Sequence, residues 1–385
     1  SNKQSDVNEQ VQYLSSGKRV LSAKDDAVAY GTLAGYKDEL AGIEKYQRNI
    51  IQAENRNNLL DTSFSTSEDI IQQLKQLFIQ ANNGTLSDSD VKSLAKLAEN
   101  SQSQMLNVAN SRDETGGYIF SGYQVDVEPF AKEPDGTVNY LGDNGVRELQ
   151  IAKNVMVNIN QPGDEAFENV PNPLGSFSTS YVNNASGISV TKAVIADPGA
   201  YDAVTNPPDY KFVFSTPSNV TVTDGLGATV YPTVPYTSGQ TIAFNGVEVQ
   251  ISGNPLPGDE FDLTPQQNIS VFDTIKSAID WMNTGTSPVD PIQHSVNYEA
   301  ILSQLNSTLN HMTSRRTDAG VRGQLIDNQE NNHLDRELNL AKGQSNIEDL
   351  DFAKAISTFE QSKIALQAAQ QTFVQIKSLS LFNYI

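Results

Sequence analysis

Residues 43–81 read IEKYQRNIIQAENRNNLLDTSFSTSEDIIQQLKQLFIQA. Within them Ile43, Tyr46, Ile50, Ala53, Asn57, Leu60, Phe64, Ser67, Ile71, Leu74, Phe78 and Ala81 step alternately by three and four. A stripe that narrow is a coiled-coil seam; a helix lying on a globular core shows a broader apolar face. The spacing predicts a long helix from Asp38 to Asn83. Asn83-Gly84 is expected to end it, because Gly readily takes the left-handed conformation after a C-cap. Ser87 with Asp90 reads as a fresh N-cap, after which Val91, Leu94, Ala98, Ser101, Met105 and Val108 resume the seam. The two helices are expected to form an antiparallel hairpin.

The C-terminal flank mirrors this pattern. Leu302, Leu305, Leu309, Met312, Ala319 and Ile326 are spaced as a seam along a helix ending near Gly343. Ser345-Asn346-Ile347-Glu348 then reads as a capping box. Phe352, Ala355, Phe359, Ser362, Leu366, Ala369, Phe373 and Ile376 give a last amphipathic helix running to the terminus.

Between the flanks the chain changes character. Of the 16 Pro, 14 fall between Asp126 and Asn268, with 13 of the 25 Gly, and this stretch carries a charge of 5 − 17 = −12. Proline cannot donate to a helix ladder, so this middle is not helical. Residues 240–251 alternate apolar positions around Asn245-Gly246, a strong hairpin signal. Tyr210–Phe214, Val220–Thr223 and Leu149–Ile159 read as further strands. The fold class expected is a mainly α rod of antiparallel coiled-coil helices from both termini, with an inserted all-β domain. Its parts are a helical segment 1–125, a β insert 126–268 with a possible joint near 171–186, a helical segment 269–344 and a terminal assembly helix 345–385.

Function is bounded by what the chain lacks. With 26 Lys plus Arg against 46 Asp plus Glu, its net charge of −20 disfavours nucleic acid, since a polyanion repels phosphates. No apolar run is long enough for a membrane helix. The absence of Cys removes thiolate metal sites, disulfides and cysteine nucleophiles. His294, His311 and His333 show no metal-binding spacing; His333 falls close to the seam. Gly163-Asp164-Glu165 and Gly258-Asp259-Glu260 match no calcium loop and read as solvated turns. No catalytic motif, cofactor site or metal site is expected.

The motifs at both ends resemble the flagellin superfamily and, within it, the hook–filament junction family of hook-associated proteins (FlgL type). Ser15-Ser16-Gly17-Lys18-Arg19-Val20, followed by Ala23-Lys24-Asp25-Asp26-Ala27, is similar to the superfamily's N-terminal signature. Asn83-Gly84-Thr85-Leu86-Ser87-Asp88, Asn107-Val108-Ala109-Asn110, Gly117-Tyr118-Ile119-Phe120-Ser121-Gly122-Tyr123 and Pro129-Phe130 look like the junction family. So do Leu366-Gln367-Ala368-Ala369, Thr372-Phe373 and Ser380-Leu381-Phe382. Gly239–Ile242 through Gly258–Phe261 resembles a β-domain motif of hook-associated proteins.

The resemblance implies nested helical layers with an outward β domain, and a structural adaptor joining the hook to the flagellin filament. Its implied partners are the first hook-associated protein, flagellin, copies of itself in a helical ring and an export chaperone at the C-terminal helix. It also implies a place outside the cell in the flagellum, reached by flagellar type III export without a cleaved signal. The family's first N-terminal helix is expected to precede Ser1, in which case the chain as given does not polymerise normally. Two other readings stand beside this one: a minor flagellin, and a rod displaying a carbohydrate-binding module whose platforms would be Tyr181, Tyr201, Tyr210, Tyr231 and Tyr236.

The apolar tail, with Leu366, Phe373, Ile376, Leu379, Leu381 and Phe382 as its assembly residues, either packs on its own chain or is completed by a neighbouring subunit. An isolated helix of this length is marginal in water, so the free protein should be a monomer whose terminal helix is its least stable part. In hydrogen exchange, amides from Phe359 to Ile376 should be less protected than those from Ile50 to Leu74; equal protection would refute the expectation.

Overall fold

The computed structural model describes residues 2–201, 209–216 and 219–382, with side chains described as far as Lys377 in the last helix. Helix α1 (Asn2–Ser16) leads into α2 (Ala27–Ala81) and α3 (Asp88–Ala109). The middle carries strands β1 (Phe130–Lys132), β2 (Val138–Tyr140), β3 (Glu148–Ala152) and β4 (Val155–Asn158), then a π-helix (Asp164–Glu168). It continues with β5 (Val170–Pro171), β6 (Phe177–Asn183), β7 (Ser189–Ile195), β8 (Tyr210–Thr216) and β9 (Asn219–Asp224). Strands β10 (Thr229–Pro235), β11 (Thr241–Phe244), β12 (Val247–Ser252), β13 (Glu260–Pro265) and β14 (Asn268–Ile269) complete it. Helices α4 (Val271–Asn283), α5 (Pro291–Glu348) and α6 (Phe352–Phe382) return to the C-terminus.

The chain divides into two compact units. The first holds residues 1–52, 150–156 and 325–385; the second holds 53–149 and 157–324. Helices α2 and α5 contribute to both, and in each unit they run antiparallel. In the first, Gln47 Nε2 donates to Glu337 Oε2 at 2.9 Å, and Tyr46 stacks on His333 with ring centres 5.5 Å apart. In the second, Arg316 Nη1 reaches Glu68 Oε2 at 2.9 Å, and Phe78 stacks on Tyr298 at 4.9 Å.

The stripe read from α2 is the buried one. Every position from Ile43 to Ala81 named above is buried except Tyr46, which is half-buried under the His333 ring. On α5 the buried line settles on a strict seven-residue step through Leu305, Met312, Ala319, Ile326, His333 and Leu340, while Leu302 and Leu309 lie only partly buried beside it. Asn57 is the polar member of the α2 seam. Its Nδ2 donates to the Ala319 carbonyl at 2.9 Å, and the space it needs is left by Gly323, whose absent Cβ would lie 3.2 Å from that nitrogen. A lone buried amide of this kind fixes register, because a slipped pairing strands it without a partner.

Several boundaries differ from the sequence reading. Helix α2 starts at Ala27 rather than Asp38, because Asp26 Oδ1 caps the Ala29 N–H at 2.9 Å and Leu33 is buried one turn later. At its other end Gly84 is not left-handed. The turn is made by Asn83, whose Oδ1 accepts from the Thr85 N–H (3.1 Å) and Oγ1 (2.9 Å). The cap at Ser87 is as expected: a capping box with Asp90 opens α3. The expected capping box at Ser345 is absent, because those residues form the last turn of α5. Helix α6 is instead capped by Asp351, whose Oδ1 accepts from the Lys354 N–H at 3.1 Å. Leu149–Ile159 is a hairpin, β3 with β4, turning at Lys153-Asn154.

In the second unit α3 lies close against α4, where Ala95, Ala98 and Ala278 are fully buried and small enough to let the backbones approach. The aromatic centre beside them joins Phe64, Phe120, Phe130, Phe167 and Phe272. The β insert has its own core. A five-stranded antiparallel sheet, order β10-β9-β8-β13-β6, faces a three-stranded one, order β11-β12-β7, across Phe177, Phe212, Phe214, Val249, Phe261 and Leu263. The predicted Asn245-Gly246 turn joins β11 to β12, with φ of 45° and 76°. The insert meets the helices at a neck, where β5 pairs antiparallel with β14.

Truncating Phe64, which is fully buried in the seam, should cost about 3–5 kcal/mol of the unfolding free energy. Ile79→Ala, at a residue 47% exposed on the same helix, should change it by less than about 0.5 kcal/mol. Urea unfolding of the two variants checks the contrast.

Candidate assembly surface

The motif positions Gly17, Arg19, Asp25, Asp26, Asn83, Gly84, Gly117, Phe120 and Gly122 fall at three places, and each is a joint in the backbone. The first closes α1 and α5 together within the first unit. Gly17 takes φ +67°, a region a side chain disfavours, and turns the chain out of α1. Beyond it the Arg19 N–H donates to the Glu348 carbonyl at 2.7 Å, and the Leu350 N–H returns a bond to the Gly17 carbonyl at 3.0 Å. The Arg19 guanidinium donates to the Ile347 carbonyl from Nη2 at 3.0 Å, placing a cation on the negative end of α5.

The Glu348 side chain is the hub of this clasp. Lys18 Nζ lies at 2.7 Å, Lys37 Nζ at 3.4 Å and Gln344 Nε2 at 2.7 Å. Burial pushes the Glu348 carboxyl up, but the bonds from Lys18, Gln344 and Lys37 outweigh it and hold the group down at about 2. Asp25 accepts from the Leu21 and Ser22 N–H groups at 2.9 and 2.8 Å and shapes the loop. Those backbone bonds, Ser22 first, hold its carboxyl below the ordinary value. A small cleft of about 220 Å³ opens beside the clasp, floored by Val20 and Leu33 and rimmed by Lys18 and Lys37.

The second joint is the segment Gly117–Tyr123 in the second unit. Asp113, buried, pairs with the buried Arg56 guanidinium and accepts at Oδ1 from the Thr115 N–H (2.8 Å) and the Gly117 N–H (3.1 Å). Burial pushes its carboxyl up, yet the bonds from Thr115 and Arg56 keep it below the usual range. Phe120 is fully buried against Phe64 and Phe167. Gly122 takes φ +75°, and a Cβ there would sit 2.4 Å from the Asp143 carbonyl oxygen, so nothing larger fits. Asp143 in turn accepts from the Tyr123 N–H at 2.9 Å and the Gly145 N–H at 2.7 Å. The third joint, Asn83-Gly84, is the exposed turn described above.

The proposed assembly residues have a different character. Helix α1 packs along α6, where Ala355 is buried and Leu366 half-buried. Phe373 and Ile376 are 67% and 60% exposed, with Ile364 and Val374 exposed beside them. The side chains of Leu379, Leu381 and Phe382 lie outside the described residues. Along its described side chains, the apolar face of α6 therefore has a partner in part only.

Among the described residues no three His, Asp or Glu side chains come together as metal ligands, and no helix is long and apolar enough to cross a membrane. His311 Nε2 bonds the Glu165 and Ala166 carbonyls, His333 Nε2 bonds the Ile151 carbonyl, and His294 stacks on Trp281. The Gly258-Asp259 turn is not solvated, contrary to the sequence reading. Asp259 is fully buried, and its Oδ2 takes the Leu256 N–H at 2.7 Å and the Ser186 hydroxyl. The tyrosines offered as sugar platforms are packing residues: Tyr210 and Tyr236 are buried, and Tyr181, Tyr201 and Tyr231 lean on the insert's core. A polar cleft of about 860 Å³ separates the insert from α4 and α5.

The bacterial flagellin N-terminal helical region matches residues 1–125, and the flagellin C-terminal helical region matches residues 302–385. The chain belongs to the flagellin superfamily. Within it the likeness extends over the insert. Flagellar hook-associated protein 3 of Escherichia coli is 24% identical over 96% of this chain and 90% of its own length. The crystal structure of hook-associated protein 3 from Legionella pneumophila superposes with a TM-score of 0.70 at 28% identity, covering 81% of this chain and 98% of that one. Flagellin A of Vibrio anguillarum is 21% identical over 97% of this chain and 92% of its own length. This superfamily member is a flagellar structural protein of the FlgL type, with helical ends and a β-rich middle.

Sequence reasoning named Gly17, Arg19, Asp25, Asp26, Gly117, Phe120 and Gly122 as motif positions, and the structure gathers them at two of these joints. It missed Asp113 and Arg56 and took Glu348 for part of a helix cap; these are the buried charges that complete those joints. Asp113 alone left a signal, since Thr115 two residues later marks an Asx turn.

The depressed carboxyl makes the clasp an acid-labile element. Its contribution is fully present above about 4.5, the group's ordinary value, and is lost as pH falls toward about 2. Glu348→Gln should lower stability at neutral pH by about 2 kcal/mol. It should also flatten the loss between those two pH values, as read by urea unfolding across the range.

Proposed function

We propose that this chain is the adaptor that joins the flagellar hook, through the first hook-associated protein, to the flagellin filament. The observation that carries the reading is co-linearity. Flagellin-type helices at both ends and a hook-associated-type insert between them resemble hook-associated protein 3 over 96% of the chain. The work asked of such a protein is mechanical. Motif residues Gly17, Arg19, Asp25, Gly117 and Gly122 serve backbone joints, and the relatives it resembles are flagellar hook-associated proteins, so we assign it no catalytic activity.

In this reading the apolar face of α6, with Leu366, Phe373, Ile376, Leu379, Leu381 and Phe382, packs against copies of the same chain and against flagellin. A coiled-coil face completed on docking stays short of a partner before assembly, and an export chaperone would cover it inside the cell. Export through the flagellar type III apparatus, and a final place outside the cell, belong to the same proposal. The absence of Cys suits it, because no disulfide can trap the chain on the way.

A second reading, a minor flagellin, draws on the match to flagellin A of Vibrio anguillarum. Electron microscopy of a deletion strain separates the two. The adaptor reading expects hooks without filaments and flagellin shed into the medium; intact filaments on the deletion strain would leave only the second.

A further inference from the structure

The insert is joined to the helices by a short neck that has a half-buried carboxylate, Glu168, at its base. Strands β5 and β14 pair through two residues each, Val170 with Ile269 and Pro171 with Asn268. The Asn172 N–H adds a bond to the Gln267 carbonyl at 2.9 Å, and the Asn268 amide donates to Asn169 Oδ1 at 3.3 Å. Immediately before β5, Glu168 ends the π-helix. Immediately after β14, Ser270 caps α4, accepting from the Phe272 N–H at 3.1 Å and donating its hydroxyl to Glu168 Oε1 at 3.0 Å. That bond ties the outgoing strand to the returning one.

The groups around Glu168 do not neutralise it. On the π-helix stand Asp164, with one buried oxygen lacking a hydrogen-bond partner, and the exposed Glu165. On the first turn of α4 stands Asp273; Lys276, one turn on, is bound to Asp280 at 2.5 Å. On α5 stand His311, bonded to the π-helix carbonyls, and Arg315, Asp318 and Arg322. The strands of the neck itself contribute no ionisable side chain.

We propose that this neck is a pH-sensitive hinge: while Glu168 is neutral it holds β5, β14 and the start of α4 together, and its ionisation loosens them. Burial pushes the Glu168 carboxyl up to about 7; the Ser270 bond works against that, and Asp273 and Asp164 add repulsion. In an opened neck the group returns toward its ordinary value near 4.5. The closed form is therefore favoured most below about 4.5 and loses that advantage as pH rises to about 7, after which it loses no more. Asp273, raised chiefly by burial, acts in the same direction. His311 acts in the opposite one, because burial, helped by Arg315, lowers it and acid must charge it.

Native-state hydrogen exchange at the Asn172 and Thr274 amides tests this, with intrinsic rates corrected and the Phe64 amide as reference. Between pH 4.5 and 7 the neck's opening equilibrium should rise by up to about tenfold per pH unit and level off above 7. In Glu168→Gln that rise should fall well below the wild-type slope, and in His311→Gln it should steepen. Carbon-13 titration of the Glu168 carboxyl in the unmodified protein is the second measurement. A midpoint near 7, lowered by Asp273→Asn, supports the hinge. A midpoint near 4.5, or a wild-type slope retained in Glu168→Gln, overturns it.

Discussion

The constraint on which everything else hangs is the burial of a stripe one or two side chains wide along α2. A helix with so narrow an apolar face gains little from propensity and must be matched along its length by other helices. Here α5 answers it in both units with its own heptad line, from Leu305 to Leu340. Because the stripe is narrow, register matters more than bulk. The polar seam residue Asn57 of α2 bonds the Ala319 carbonyl across the interface, and His333 of α5 bonds the Ile151 carbonyl of β3. A slide by one turn would bury both without partners, at a cost comparable to the net gain of several apolar contacts.

Around that seam the chain spends its charged residues on closing backbone joints. Glu348 collects two lysines and a glutamine where α1 and α5 end, and Asp113 collects Arg56 and two N–H groups where α3 gives way to the insert. Such buried or half-buried charges are poor sources of net stability but specific in geometry, since a displaced partner leaves a charge unpaired. That suits a structural protein of the flagellin superfamily, whose task is to present surfaces in fixed relation.

The insert obeys a different economy. Its two sheets enclose an aromatic and β-branched core of their own, so it does not draw on the helical core for its stability. Its attachment includes a two-residue strand pair, a serine cap, the bond from the Ser307 hydroxyl of α5 to the Pro171 carbonyl and the bond between Asn184 and Gln293. By contrast α6 lends its apolar face to α1 over part of its length and leaves Phe373 and Ile376 in water. The proposed assembly role draws on that exposed apolar face, since contiguous patches of this kind mark interaction surfaces.

Sequence by itself determined the helix–insert–helix plan, the α2 seam, the Ser87 cap and the Asn245-Gly246 hairpin. Each of these is local, written either as a period along one element or as a turn residue whose backbone preference acts on its immediate neighbours. Only the tertiary structure decided that Gly84 is not the stop, that Asp351 rather than Ser345 caps α6, and that residues 149–159 fold back on themselves. It alone chose Ile301 and Thr308 over Leu302 and Leu309 as the buried residues flanking Leu305 on α5. The clasp at Glu348, the Arg56–Asp113 pair and the carboxylate at the neck were equally invisible. Lys18 and Glu348 stand 330 residues apart along the chain, and no periodicity links such a pair. Their energies come from desolvation and from the partners that folding delivers, quantities that exist only once distant segments meet.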